Sequence, residues 1–153
     1  MTRKRAVVTT DELAVNSQAD WNAFVALLAT TDCDDLEPLQ RSAHFIFWYE
    51  SEMANGGHLQ YFTNRTSEKA RQTVATLYSF GASDQARVLE KAFKRWEAAF
   101  RLAPADDLEF TAIALEAEFE DLDQEFHSST IPLLDVPRQL FDNYKDEFIE
   151  RQG

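Results

Sequence analysis

Cysteine is nearly absent from this chain: Cys33 stands alone among 153 residues. No internal disulfide framework can be built from it, and such usage suits a reducing, cytoplasmic setting. Histidine is almost as scarce. His44, His58 and His127 share no metal-motif spacing with one another or with a second ligand. Helical di-metal sites need Glu-x-x-His pairs on two helices, and the sequence has none. It also has no phosphate-cradling glycine loop and no serine elbow. Cys33 lies among Asp32, Asp34 and Asp35, a poor setting for a reactive thiolate. No cofactor, no metal and no enzymatic activity are expected. Long apolar runs are missing too. The basic start, Met1–Arg5, is followed only by Ala6, Val7 and Val8 before polar residues resume, which is no signal-peptide core. Nothing elsewhere approaches a membrane span of ~20 apolar residues.

Chain breakers are few, with 4 Gly and 4 Pro, while 44% of residues are hydrophobic and 12% aromatic. That composition excludes disorder, and the length suffices for one domain with a real core. Positive charge is what the chain most lacks. The net charge is −12, so direct binding to nucleic acid is not expected, since phosphate would be repelled. The imbalance is local. Residues 1–103 carry 13 Asp/Glu against 12 Lys/Arg, a net of −1, whereas residues 104–153 carry 14 against 3, a net of −11.

What is present reads as helices. Residues 1–16 are expected to be a flexible N-terminal arm, and 17–153 a single helical domain. Trp21, Phe24, Val25 and Leu28 recur at helical spacing, and Pro38 opens a helix whose middle, Ala43 to Tyr49, is apolar nearly all round. Asn55-Gly56-Gly57 ends it, because Asn and Gly tolerate the left-handed conformation of a helix C-cap. A short helical piece near 58–63 follows. Next comes a helix with Ala70, Val74 and Leu77 inward, then one with Leu89, Phe93, Trp96 and Phe100 inward and Arg87, Lys91, Lys94, Arg95 and Arg101 outward. A last helix starts near Asp135. No alternating strand pattern is evident. The expected fold is all-α, a single compact bundle of six or seven helices.

Three ordered blocks carry a resemblance. Glu52-Met53-Ala54-Asn55-Gly56-Gly57, followed by Gln60-Tyr61-Phe62 and Asn64, resembles the signature of the bacterial DNA-mimic protein family, much of it of unknown function. Phe80-Gly81-Ala82 before Leu89 and Ala92, and Leu122-Asp123-Gln124-Glu125-Phe126, are similar to its second and third blocks. The likeness covers roughly residues 40–127. It implies an all-helical, often dimeric protein that imitates DNA toward DNA-binding proteins. Read from the residues alone, the first block has two explanations. Gly56 and Gly57 let the chain reverse while Tyr61 and Phe62 return to the core; alternatively, Asn55, Gln60 and Asn64 form a polar recognition surface.

The acidity concentrates on a helix expected over about 106–127. Leu108, Ala112, Leu115, Phe119, Leu122 and Phe126 form its inward stripe. Glu109, Glu116, Glu120 and Asp123 line one flank, and Asp107, Glu118, Asp121 and Glu125 the other. These eight carboxylates span about 27 Å, or about one per 3.4 Å, the axial spacing of phosphates on one DNA strand. They form either a binding surface for a basic partner, or a face that is solvated or paired with the basic helix before it. Phe110, Ile113 and Ala117 make a second apolar patch, covered by another helix or by a homodimer partner. The function expected is an acidic protein-binding module that imitates DNA toward a basic DNA-binding protein. The alternative is a structural domain whose acidity serves solubility.

Overall fold

A computed structural model describes residues 4–102, 118–129 and 132–153, the side chains of Phe100, Arg101 and Leu102 excepted. The chain divides into two compact units, residues 1–48 with 134–153, and residues 49–133. The expected helical class is observed in both.

In the first unit, strand β1 (Ala6–Thr9) leads directly into helix α1 (Thr10–Val15). A reciprocal cap fixes that junction: the Thr9 hydroxyl accepts from the Glu12 amide, and the Glu12 carboxylate accepts from the Thr9 amide at 2.8 Å. Helix α2 (Ala19–Thr30) follows, then a single 3-10 turn at Cys33–Asp35. Helix α3 starts at Pro38, and its first turns belong to this unit. The chain returns here as α7 (Asp135–Asn143), α8 (Lys145–Phe148) and strand β2 (Ile149–Gln152). β2 runs parallel to β1 with Ala6 opposite Ile149 and Thr9 opposite Gln152.

The residues expected to form a flexible arm, 1–16, thus include a strand and a helix. Each strand sends only one side chain fully inward, Val8 and Ile149 respectively. So short a pattern leaves no alternation to read, and the partner strands lie more than 140 residues apart. The core is aromatic: Phe24 is fully buried, with ring centroids of Trp21, Phe141 and Phe148 at 5.1, 5.0 and 4.8 Å. Burying one such ring stabilises the fold by about 1.5–3 kcal/mol. Two polar residues tie the returning segment down. Gln40 donates to the Lys4 and Glu147 carbonyls at 2.5 and 2.8 Å. Asp20 accepts from Arg151 at 2.6 Å, with Lys145 at 3.7 Å.

The second unit begins inside α3, which extends to Asn64. Gly57 interrupts it with φ 78° and ψ −165°, the positive-φ position that the Asn-Gly-Gly stop requires. Helix α4 (Ser67–Ser79) is capped by the Thr66 hydroxyl, which accepts from the Lys69 amide. Gly81, at φ 79°, turns the chain into α5 (Ser83–Leu102), packed antiparallel-hairpin fashion on α4. Helix α6 (Glu120–His127) completes the unit among the described residues. Tyr49, Tyr61, Leu77, Leu89 and Phe119 are each 1% exposed or less. No described helix is long and apolar enough to cross a membrane.

Candidate functional site

The residues of the first sequence block are gathered around one buried carboxylate. Glu52, 4% exposed, lies one and a half turns before the Gly57 break. Its Oε2 accepts from Gln60 Nε2 at 2.7 Å and from Asn64 Nδ2 at 3.0 Å, and its Oε1 faces Arg65 Nη2 at 3.4 Å. Gln60 and Asn64 stand four apart on the helical piece after the break, so both reach the same oxygen. Tyr61 and Phe62 point the other way, into the core, with Tyr61 donating to the Thr73 hydroxyl at 3.1 Å. Asn55 is exposed at the turn. Gln60 and Asn64 therefore satisfy the buried Glu52 carboxylate, and for these two residues the geometry supports the structural explanation of the block. Burial pushes the Tyr61 hydroxyl up to about 12 and that of Tyr49 well above its ordinary value.

A second carboxylate closes on the glycine turn from α6. Asp123 Oδ1 accepts from the His58 amide at 3.0 Å and lies 2.6 Å from His58 Nδ1. On the far side of the imidazole, Nε2 is 2.8 Å from the Tyr49 hydroxyl. Both ring nitrogens thus face a hydrogen-bonding partner, the Tyr49 hydroxyl on one side and the Asp123 carboxylate on the other. Asp123 thereby caps the helical piece that restarts at His58, from another helix. A side chain at Gly57 has no room there, since an added Cβ would sit 2.3 Å from Asp123 Oδ2. His58, fully buried, is a satisfied structural histidine. Nothing in its sequence context marks it as one, because its two partners are 9 and 65 residues away.

The remaining described carboxylates of the acidic segment are exposed. Phe119, Leu122 and Phe126 turn inward, as their spacing predicts, while Glu118, Glu120, Asp121 and Glu125 face solvent. The flank carrying Asp121 and Glu125 lies beside α5. Arg95 donates to both oxygens of Asp121, at 2.7 and 3.2 Å, and to the Glu118 carbonyl; Lys91 reaches Glu125 at 3.3 Å. The Arg95 hydrogen bonds hold the Asp121 carboxyl below its usual range and raise the guanidinium in return. Arg87 and Lys94 are engaged within α5 itself, with Asp84 and Glu90. No ion pair within 4 Å reaches Glu118 or Glu120 among the described residues. The surface thus combines two partly neutralised carboxylates with two open ones. Asp107, Glu109 and Glu116, and the patch of Phe110, Ile113 and Ala117, lie outside the described residues. His44 is buried and His127 exposed, and the described residues contain no group of three or more His, Cys, Asp or Glu able to hold a metal ion.

A family model described as DMP19-like protein matches residues 34–151, a longer stretch than the three blocks span. No curated protein and no solved structure matches the chain.

Proposed function

The chain belongs to the DMP19-like protein family, a family of DNA mimics, and we propose that it is an acidic protein-binding module whose carboxylates occupy the DNA-binding surface of a basic DNA-binding protein. The observation that carries this reading is the exposure of Glu118, Glu120, Asp121 and Glu125 on one segment of a chain region with net charge −11. Three further acids of this chain region, Asp107, Glu109 and Glu116, precede them in the sequence. Asp123 serves the exposed segment indirectly, by fixing α6 to the glycine turn through His58. Carboxylates that stay hydrated until a partner arrives act as phosphates do: they steer encounter and supply contacts to Lys and Arg.

A competing reading, an acidic surface that serves solubility alone, draws on the pairing of Asp121 and Glu125 with Arg95 and Lys91. Such exposed pairs are weak, about 0–1 kcal/mol, and a basic partner can exchange for them. The deciding experiment immobilises the protein and a Glu118/Glu120/Glu125→Gln variant, then passes the DNA-binding proteins of the native host over both. Retention on the parent should be lost at raised salt, where screening shortens to below about 8 Å. Duplex DNA should compete, and the variant should retain nothing. Equal retention on both surfaces, or bound proteins that DNA cannot displace, would overturn the proposal.

A further inference from the structure

The first unit holds a groove of about 600 Å³ between β1, α1 and α2, remote in sequence from the acidic segment. Its apolar wall is made by Val7, Val15, Ala19 and Ala23. Val7 is 49% exposed and Val15 90%, although both are aliphatic. Helix α1, which forms one wall, has no buried residue of its own. Among the described residues lining the groove only Val8 is buried, so it is a trough open to solvent and not an enclosed ligand cavity.

Two features specify what fits. Val7 and Val8 both line the groove, yet consecutive strand residues point to opposite faces. A groove that meets both runs along the edge of β1, and among the described residues β1 has β2 as its single strand neighbour. A strand beside apolar side chains is the geometry that receives an added extended segment, here on the stretch before the Val8 carbonyl and the Thr9 amide, which Arg151 and Glu12 already hold. The second feature is charge. Asp11 and Glu12 are the charged residues of the lining, which among the described residues contains no Lys, Arg or His. Glu12 is committed to its cap on Thr9, whereas Asp11 is exposed and has no ion pair among the described residues. We propose that this groove docks a short extended segment of a partner protein, one that alternates aliphatic residues with Lys or Arg. Aliphatic side chains would cover Val7, Val15 and Ala23 while a cation meets Asp11. The inference does not rest on the acidic surface of α6.

The test follows backbone amide shifts of the intact protein on addition of a short peptide alternating valine and lysine, beside a valine–glutamate peptide. Shifts should gather at Val7, Asp11, Val15 and Ala23 with the first peptide and be absent with the second. Asp11→Asn should weaken binding by up to about fivefold, the scale of one exposed charge pair. Val15→Ser should weaken it about threefold or more through lost apolar contact. Both positions are exposed, so the variants retain their fold, as unchanged circular dichroism will verify. The Glu118/Glu120/Glu125→Gln variant should bind the peptide in the groove as the parent does, even if the α6 surface proves to bind no partner. The proposal is overturned by shifts confined to α6, by equal binding of the glutamate peptide, or by indifference to both groove substitutions. Groove signals that change with protein concentration alone would assign the site to a second copy of the chain and overturn it equally.

Discussion

Glu52 and Asp121 are both carboxylates of the second unit, and the fold uses them in opposite ways. The side chain of Glu52 is 6% exposed and meets an amide from Gln60, another from Asn64 and the Arg65 guanidinium. That of Asp121 is 66% exposed and meets one guanidinium. A buried charge is tolerable only when its hydrogen-bonding capacity is filled, and removing its partners or itself disrupts everything that was arranged around it. An exposed charge keeps its water, so its pairing adds little and can be exchanged. The difference teaches where function can reside: a carboxylate is available to a partner in inverse proportion to what the fold asks of it. By that standard Asp123, held by His58, stands with Glu52, while Glu118 and Glu120 stand at the other extreme.

The comparison breaks if Glu52 proves dispensable. Glu52→Ala should cost about 3–5 kcal/mol, because Gln60, Asn64 and the Arg65 guanidinium lose a shared buried acceptor. Urea denaturation monitored by circular dichroism measures it, and a loss below about 1 kcal/mol would place Glu52 among the surface acids.

A smaller effect sharpens the same contrast from the side of pH. Tyr61 and Tyr49 are buried as neutral phenols, and burial raises Tyr61 from 10.0 to about 12. A group whose folded value is raised stabilises the fold fully below its unfolded value, and that contribution is lost as pH climbs through the folded one. At ~1.4 kcal/mol per unit, a few kcal/mol should disappear between about pH 10 and pH 12. Tm measured across that window should fall steadily, with Tyr61→Phe falling less. A flat Tm up to about pH 11 would mean that the interior around Tyr61 admits water.

Much of this architecture was legible because it is local. The helices follow from apolar spacing, and the positive φ of Gly57 follows from a near-continuous apolar helix meeting Asn55-Gly56-Gly57. The inward set Phe119, Leu122 and Phe126 follows from periodicity. What escaped is contact between distant segments. β1 pairs with β2 across almost the whole chain, and nothing in Ala6–Thr9 announces a partner at Ile149–Gln152. Asp123 sits at a position that helical geometry alone assigns to an acidic flank. Only the return of the His58 turn, 65 residues earlier, makes it a cap. Gln60 and Asn64 read equally well as a recognition surface until Glu52 is seen between them.

The smallest expected effects on stability fall on the exposed acids of α6. Glu120 is exposed at the first turn of α6, where its charge complements the helix dipole by a few tenths of a kcal/mol. Its repulsion with neighbouring acids is of similar size and opposite sign. Glu120→Gln should therefore shift the unfolding free energy by less than about 0.5 kcal/mol in either direction. Asp121→Asn should cost slightly more, up to about 1 kcal/mol, since Arg95 loses its charged partner. Affinity for a basic partner should rank the two differently. Glu120 enters a complex without surrendering any ion pair within the described residues, whereas Asp121 must first release Arg95. Neutralising Glu120 should thus weaken partner binding more than neutralising Asp121, while disturbing stability less. Calorimetric titration of both variants, beside denaturation curves, reads the two rankings together. The opposite order in binding would mean that the partner engages the Arg95–Asp121 pair as a unit, and that the surface is not read as a row of free carboxylates.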